Sequence, residues 1–238
     1  MMSIESISKR KLLKLSLGTV ALATTGAIPS ISYAASLSKD ERDKMSPDEV
    51  IKSLLDGNKR FLSNNIKNHD YKAQKKTSQY GQYPSAIILS CIDSRAPAEI
   101  ILDTGIGELF NSRVAGNVSS SDVLGGMEFA CEIAGAKVVF VMGHTKCGAV
   151  KGAIANATLG NLTGLLHKIK PAIEQTNYIG VKSAENYEYV NAVAEMNVKL
   201  TINEIRVNSP VLKSLEEKGK LKIVGAMYDI SNGKVSLL

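Results

Sequence analysis

Cysteine and histidine are scarce in this sequence, with three of each in 238 residues, and tryptophan is absent. Three thiols allow at most one disulfide with one left over, and a chain of this length buries enough surface to need no such staple. Past residue 34 there is no strongly apolar run of about 18 residues, so no helix of the body is expected to span a membrane. Strong charge is also missing. The formal net charge is +6, and half of it comes from residues 1–34, where Lys9, Arg10, Lys11 and Lys14 face only Glu5. What remains is too little to argue for nucleic acid or a membrane surface, and the short basic run KAQKK (72–76) reads as a solvated face. No internal repeat stands out. The 44% apolar and 22% charged residues match an ordinary globular chain.

The first 34 residues differ from the rest. SKRKLLK is a basic segment, LSLGTVALATTGAI is short and weakly apolar, and SYA before Ala35 places small residues Ser32 and Ala34 at a cleavage spacing. This reads as a bacterial export signal that is removed, leaving residues 35–238 as one domain in the periplasm or otherwise outside the cytoplasm. The rival is a retained anchor, disfavoured by the short apolar segment and the cleavage site. SKRKLLK also resembles a twin-arginine signal with Lys9 in place of the first arginine, a route that carries folded proteins.

Residues 35–45 read as a polar linker. A helix then starts at Ser46, with Pro47 in its first turn and Glu49 completing a capping box; Val50, Ile51, Leu54, Leu55 and Phe61 form its apolar stripe. Residues 64–80 read as loop or short helix. SAIILSC, ELFNSRV, KVVFVM and LKIVGAMYD read as strands, and Asn232-Gly233 as a hairpin turn into KVSLL. Helices are expected at APAEIILD, after AGNVSSSD as far as Gly135, from Cys147 onward, and near 162–177 and 182–207. Cys131 falls in the second of these as a small core side chain. The alternation implies an α/β fold: a mostly parallel central sheet flanked by helices, with an N-terminal helical arm. Ligands of such sheets gather at the carboxyl ends of the strands.

The chemistry-bearing residues concentrate there. SCIDSR puts Cys91, Asp93 and Arg95 at the end of one apolar strand, and VMGHTKCGAV puts His144 and Cys147 at the end of another. Thiolate and imidazole are zinc ligands, and a set of three leaves a position open for water or substrate. Metal is therefore favoured over a disulfide. Asp93 is either a fourth ligand in a closed state or a residue that orients water, and Arg95 can hold its carboxylate bidentately. A plain ion pair at a helix start is the alternative. His69 and His167, the remaining histidines, read as surface residues.

With these motifs in place, the chain closely resembles the β-class carbonic anhydrases. CIDSR resembles the family's C-x-D-S-R motif and GHTKCGAV its G-H-x-x-C-G-A-V motif; GELFNSRVAGNV, MEFACEIAGAKVVFVMGH and LKIVGAMYDISNGKV are similar to its other segments. The likeness runs over roughly 46–238. It implies one zinc per chain on Cys91, His144 and Cys147, a catalytic dyad of Asp93 and Arg95, and a substrate pocket that includes Gln82 and Gly148. It further implies a homodimer or homotetramer with the pocket near the subunit boundary. A regulatory bicarbonate pocket of one subgroup needs a tryptophan where this chain has Ile88; Arg113 and Tyr228 match its other members, so regulation is not carried over. Ile92 stands where small or polar residues are frequent.

The expected reaction is reversible hydration of CO2 to bicarbonate and a proton, by hydroxide generated on zinc and oriented by Asp93 and Arg95. Two thiolates donate more charge than histidines do, so activity is expected to rise toward alkaline pH. Two alternatives use the same residues: hydrolysis of CS2 or COS behind a narrower tunnel, and a non-catalytic zinc or thiol protein.

Overall fold

The computed structural model describes residues 32–238. Most of the expected export signal, residues 1–31, lies outside the described residues. The described residues begin with β1 (Ser32–Tyr33), α1 (Lys39–Lys44), α2 (Pro47–Leu62), β2 (Asn68–His69), α3 (Tyr71–Ser78), β3 (Ala86–Ser90), α4 (Ala98–Ile101) and β4 (Leu109–Arg113). They continue with α5 (Ser121–Glu128), β5 (Val138–His144), α6 (Gly148–Ile154), α7 (Gly160–His167), α8 (Lys170–Gln175) and α9 (Tyr187–Asn208). They close with α10 (Pro210–Glu217), β6 (Lys222–Tyr228) and β7 (Val235–Leu237).

One five-stranded sheet organises the body, in the order β4-β3-β5-β6-β7. The first four strands run parallel and β7 returns antiparallel to β6. The turn into β7 uses Gly233 at φ +80°, a conformation that glycine adopts without a Cβ clash. Every residue of β3 and β5 is buried, as expected for strands covered on both faces. Alternate side chains feed two cores. Ile88, Phe140 and Met142 pack with Val50, Ile51 and Leu54 of α2 and Ile101 of α4. Leu89, Val139 and Val141 pack on the other face with Met127, Ile205 and Leu212 from α5, α9 and α10.

The α2 start is as expected: Ser46 Oγ accepts from Glu49 N–H and the Glu49 carboxylate accepts from Ser46 N–H. Several local expectations are corrected. The linker 35–45 contains α1, which has its own capping box on Ser38 and Glu41 and a buried Arg42 whose guanidinium donates to Ala134 O. The pattern near 162–177 is two helices, because Pro171 at the start of α8 has no N–H to continue the ladder. The pattern from 182 becomes helical only at Tyr187, where Asn186 caps the first turn. The helix toward Gly135 ends in a π-helical turn, Phe129–Ile133.

Candidate metal centre

The chain leaves β3 toward β4 on one side, while β5 lies on the other. The carboxyl ends of β3 and β5 therefore flank a crevice where strand order reverses, the place where open α/β sheets bind ligands. Cys91 directly follows β3, His144 is the last residue of β5, and Cys147 caps the N-terminus of α6. Their ligand atoms lie within 4.8 Å of one another, and all three residues are buried.

Two observations fit this donor set to a metal ion. His144 Nδ1 donates to Thr145 O at 2.9 Å, so its lone pair is on Nε2, and Nε2 is a buried atom with no hydrogen-bond partner. An orphaned buried nitrogen is costly unless something else occupies it. The two thiols supply the rest of a soft N/S set suited to zinc. The neighbouring Cys147 pulls the Cys91 thiol down, and the neighbouring Cys91 together with burial pushes Cys147 up. Gly116 N–H also donates to Cys91 Sγ, at 3.3 Å. Cys131, by contrast, is a core residue whose thiol burial pushes up to about 12.

Asp93 and Arg95 meet as the sequence suggests. Arg95 Nε donates to Asp93 Oδ1 at 3.0 Å and a terminal nitrogen to Oδ2 at 2.8 Å, and Arg95 N–H donates to Oδ1 at 2.9 Å. This fork, chiefly its side-chain bonds, holds the Asp93 carboxyl at about 2. Asp93 Oδ2 lies 3.8 Å from His144 Nε2, beyond hydrogen-bond distance. A cavity of about 260 Å³ opens onto Cys91 and Asp93. Ile92, Ala115, Gly148, Ala149, Leu162 and Leu166 give it apolar walls. Gln82 is exposed and is not among the residues lining it.

A family model described as carbonic anhydrase matches residues 86–235, which include all of these residues except Gln82. The chain belongs to the carbonic anhydrase family. Carbonic anhydrase 2 of Mycobacterium tuberculosis is 31% identical over 192 residues, covering 78% of this chain and 90% of that protein. A carbonic anhydrase of Pseudomonas aeruginosa is 30% identical, covering 66% of this chain and 74% of its own. Among solved structures, the β-carbonic anhydrase CafA of Aspergillus fumigatus is 29% identical with a TM-score of 0.62, covering 79% and 90% of the two chains. A tetrameric β-carbonic anhydrase of Sordaria macrospora is 26% identical with a TM-score of 0.61, covering 67% and 83%. Fold and family thus agree on a β-carbonic anhydrase, and this family implies zinc-dependent hydration of CO2.

Within this carbonic anhydrase, one expectation about a single residue changes and one residue gains a role. His69 is not a surface residue: its side chain is 5% exposed and hydrogen-bonds Asp103, whereas His167 is exposed. Arg113 braces the first motif, donating to Cys91 O at 3.0 Å and to Asp93 O at 2.6 Å. The sequence reading did not assign that bracing role, which depends on β4 lying beside β3.

Proposed function

We propose that Cys91, His144 and Cys147 hold one zinc ion per chain, and that Asp93 and Arg95 form the catalytic dyad of CO2 hydration. The observation that carries this reading is the unpartnered Nε2 of buried His144 beside two buried thiols. Zinc held there supplies Lewis-acid activation of water near neutral pH. The residues around it do the rest. Asp93, ionised and locked by the Arg95 fork, accepts a hydrogen bond at Oδ2 from a water in the crevice. It thereby fixes that water's lone pair toward the cavity, and the proton released leaves to buffer. Because Arg95 engages both carboxylate oxygens, Asp93 is held in the orienting role rather than as a fourth ligand. The apolar walls suit a substrate with no net charge and no hydrogen-bond donors. We place Gly148, first residue of α6 and part of that wall, at the substrate.

Gln82 does not line the cavity of its own chain, so the pocket role expected of it requires an assembly. The tetrameric Sordaria macrospora relative supports a homo-oligomer here. Export to the periplasm, with cleavage after Ala34, remains our reading of residues 1–34. Such cleavage removes β1, which pairs with β2.

The test is stopped-flow CO2 hydration across pH on the zinc-loaded chain, with Cys147→Ala beside it. Turnover that rises toward alkaline pH and disappears in the variant is expected. A zinc-replete chain without turnover at any pH would overturn the reading and favour a CS2 or COS substrate or a non-catalytic site.

A further inference from the structure

The long helix α9 contributes none of the three ligand atoms described above, yet its polar residues address the backbone on both sides of them. Asn197 is 3% exposed, and its Nδ2 donates to Gly116 O at 2.8 Å. The N–H of that same Gly116 donates to Cys91 Sγ. Gly116 is at φ +70°, and a Cβ there would stand 2.7 Å from Ile169 Cδ1, so this turn depends on glycine. Six residues earlier, Asn191 Oδ1 accepts from Lys146 N–H at 2.7 Å. Lys146 lies between His144 and Cys147 at φ +56°, a conformation a lysine adopts only when its surroundings impose it. The neighbours of Asn197 on the helix, Val193, Ala194 and Val198, are apolar and buried. A buried amide among them is costly unless its hydrogen bond serves something.

We propose that Asn197 and Asn191 are positioning residues of the metal centre. Asn197 sets the hydrogen bond received by Cys91 by holding the 116–117 peptide through Gly116 O, and the Gly116 backbone carries that orientation to the 115–116 peptide whose N–H donates to Cys91. Asn191 sets the spacing of His144 and Cys147 by fixing the Lys146 turn. The sheet brings the ligands together, and α9 sets how they present their lone pairs. An N–H donated to a thiolate drains charge from sulfur, so the Asn197 arm also tunes the acidity of the metal. This inference rests on the assignment of Cys91, His144 and Cys147 as ligands.

The experiment loads the full chain with zinc or Co(II) and reads two quantities: the rate of zinc release to a chromogenic chelator and the thiolate-to-Co(II) absorption band. The variants are Asn197→Leu, Asn191→Leu and the conservative Asn191→Asp, which keeps the acceptor. Ile205→Ala, buried further along α9 away from the centre, controls for lost stability. Both leucine variants are expected to lose metal roughly 10–100-fold faster. Asn197→Leu should also shift the absorption band, while Asn191→Asp and Ile205→Ala should stay near the parent. If Asn197→Leu does not fold, the more exposed Asn191 pair carries the test. Release from the leucine variants no faster than from Ile205→Ala would overturn the proposal alone. A parent chain that takes up neither metal would overturn the ligand assignment and this proposal with it.

Discussion

Two centres of this molecule are built from the same three side-chain types. One joins Asp93, Arg95 and His144; the other joins Asp103, Arg60 and His69. In the second, every polar atom of the histidine ring is answered. Gln74 Oε1 is fixed by Ile106 N–H, so its Nε2 donates to His69 Nδ1 at 3.2 Å, and His69 Nε2 donates to Asp103 Oδ1 at 3.2 Å. Asp103 also accepts from Arg60 and from Lys67 N–H. In the first, the arginine takes the whole carboxylate, the histidine stops 3.8 Å short of it, and Nε2 faces two thiols with no partner. A satisfied histidine is a structural one. The His144 ring is left open on the side of the two thiols, where a metal ion fits.

The strongest way to break this comparison is to exchange the consequences of losing each histidine. His144→Ala should lose zinc by more than about 100-fold in affinity and reduce CO2 hydration to background, because it removes a ligand rather than an outer partner. His69→Ala should keep both zinc and turnover; zinc analysis and stopped-flow rates decide. Next in size is stability. Asp103 is 2% exposed at its side chain, and Asp103→Ala strands Arg60 and His69, so urea unfolding should show a loss of about 3–5 kcal/mol with turnover per folded molecule intact. Asp93→Ala should do the reverse, nearly abolishing turnover at little cost in stability.

A smaller effect concerns the segment next to the second centre. Tyr33 O accepts from Gln74 Nε2 at 3.0 Å and from Asp70 N–H at 3.3 Å. A chain beginning at Ala35 should therefore be less stable by about 1 kcal/mol than one beginning at Ser32. Equal unfolding midpoints would show that β1 contributes nothing to the His69 centre.

The smallest effect comes from a third arginine–carboxylate pair, Arg206 with Glu216, whose side chains are 41% and 25% exposed. The Arg206 bond lowers the Glu216 pKa, against a smaller opposing effect of burial. A lowered folded value means that the pair stabilises the protein above the unfolded carboxylate range, near pH ~4.3, and loses that contribution as pH falls through the folded value. Solvent screening limits it to about 0.5 kcal/mol. Glu216→Gln should therefore narrow its stability gap to the parent below pH ~4, as read from unfolding curves at several pH values.

Much of the first centre was legible in the sequence because its signals are local. Branched apolar runs mark β3 and β5, and Cys91, Asp93, Arg95, His144 and Cys147 follow within a few residues of their ends. The Asp93–Arg95 fork spans two residues, so its geometry is nearly set by the turn that holds it. The second centre was not legible. His69 lies in a polar stretch that resembles surface, and its partner Asp103 is distant in sequence. The same holds for Arg113, Asn191 and Asn197, whose partners lie 22, 45 and 81 residues away. No periodicity or spacing marks such residues, because an asparagine on a long helix looks the same whether it faces water or a buried carbonyl.

The sequence by itself determined the α/β order, the parallel strands and the donor set, since these follow from side-chain periodicity and from residue types a few positions apart. Tertiary structure alone decided that β3 and β5 are neighbours, that His144 Nε2 is left unpartnered, and that the other buried histidine is closed off. Those outcomes depend on which strand lies beside which and on desolvation by segments far along the chain. Both are properties of the folded packing and have no counterpart in a short stretch of residues.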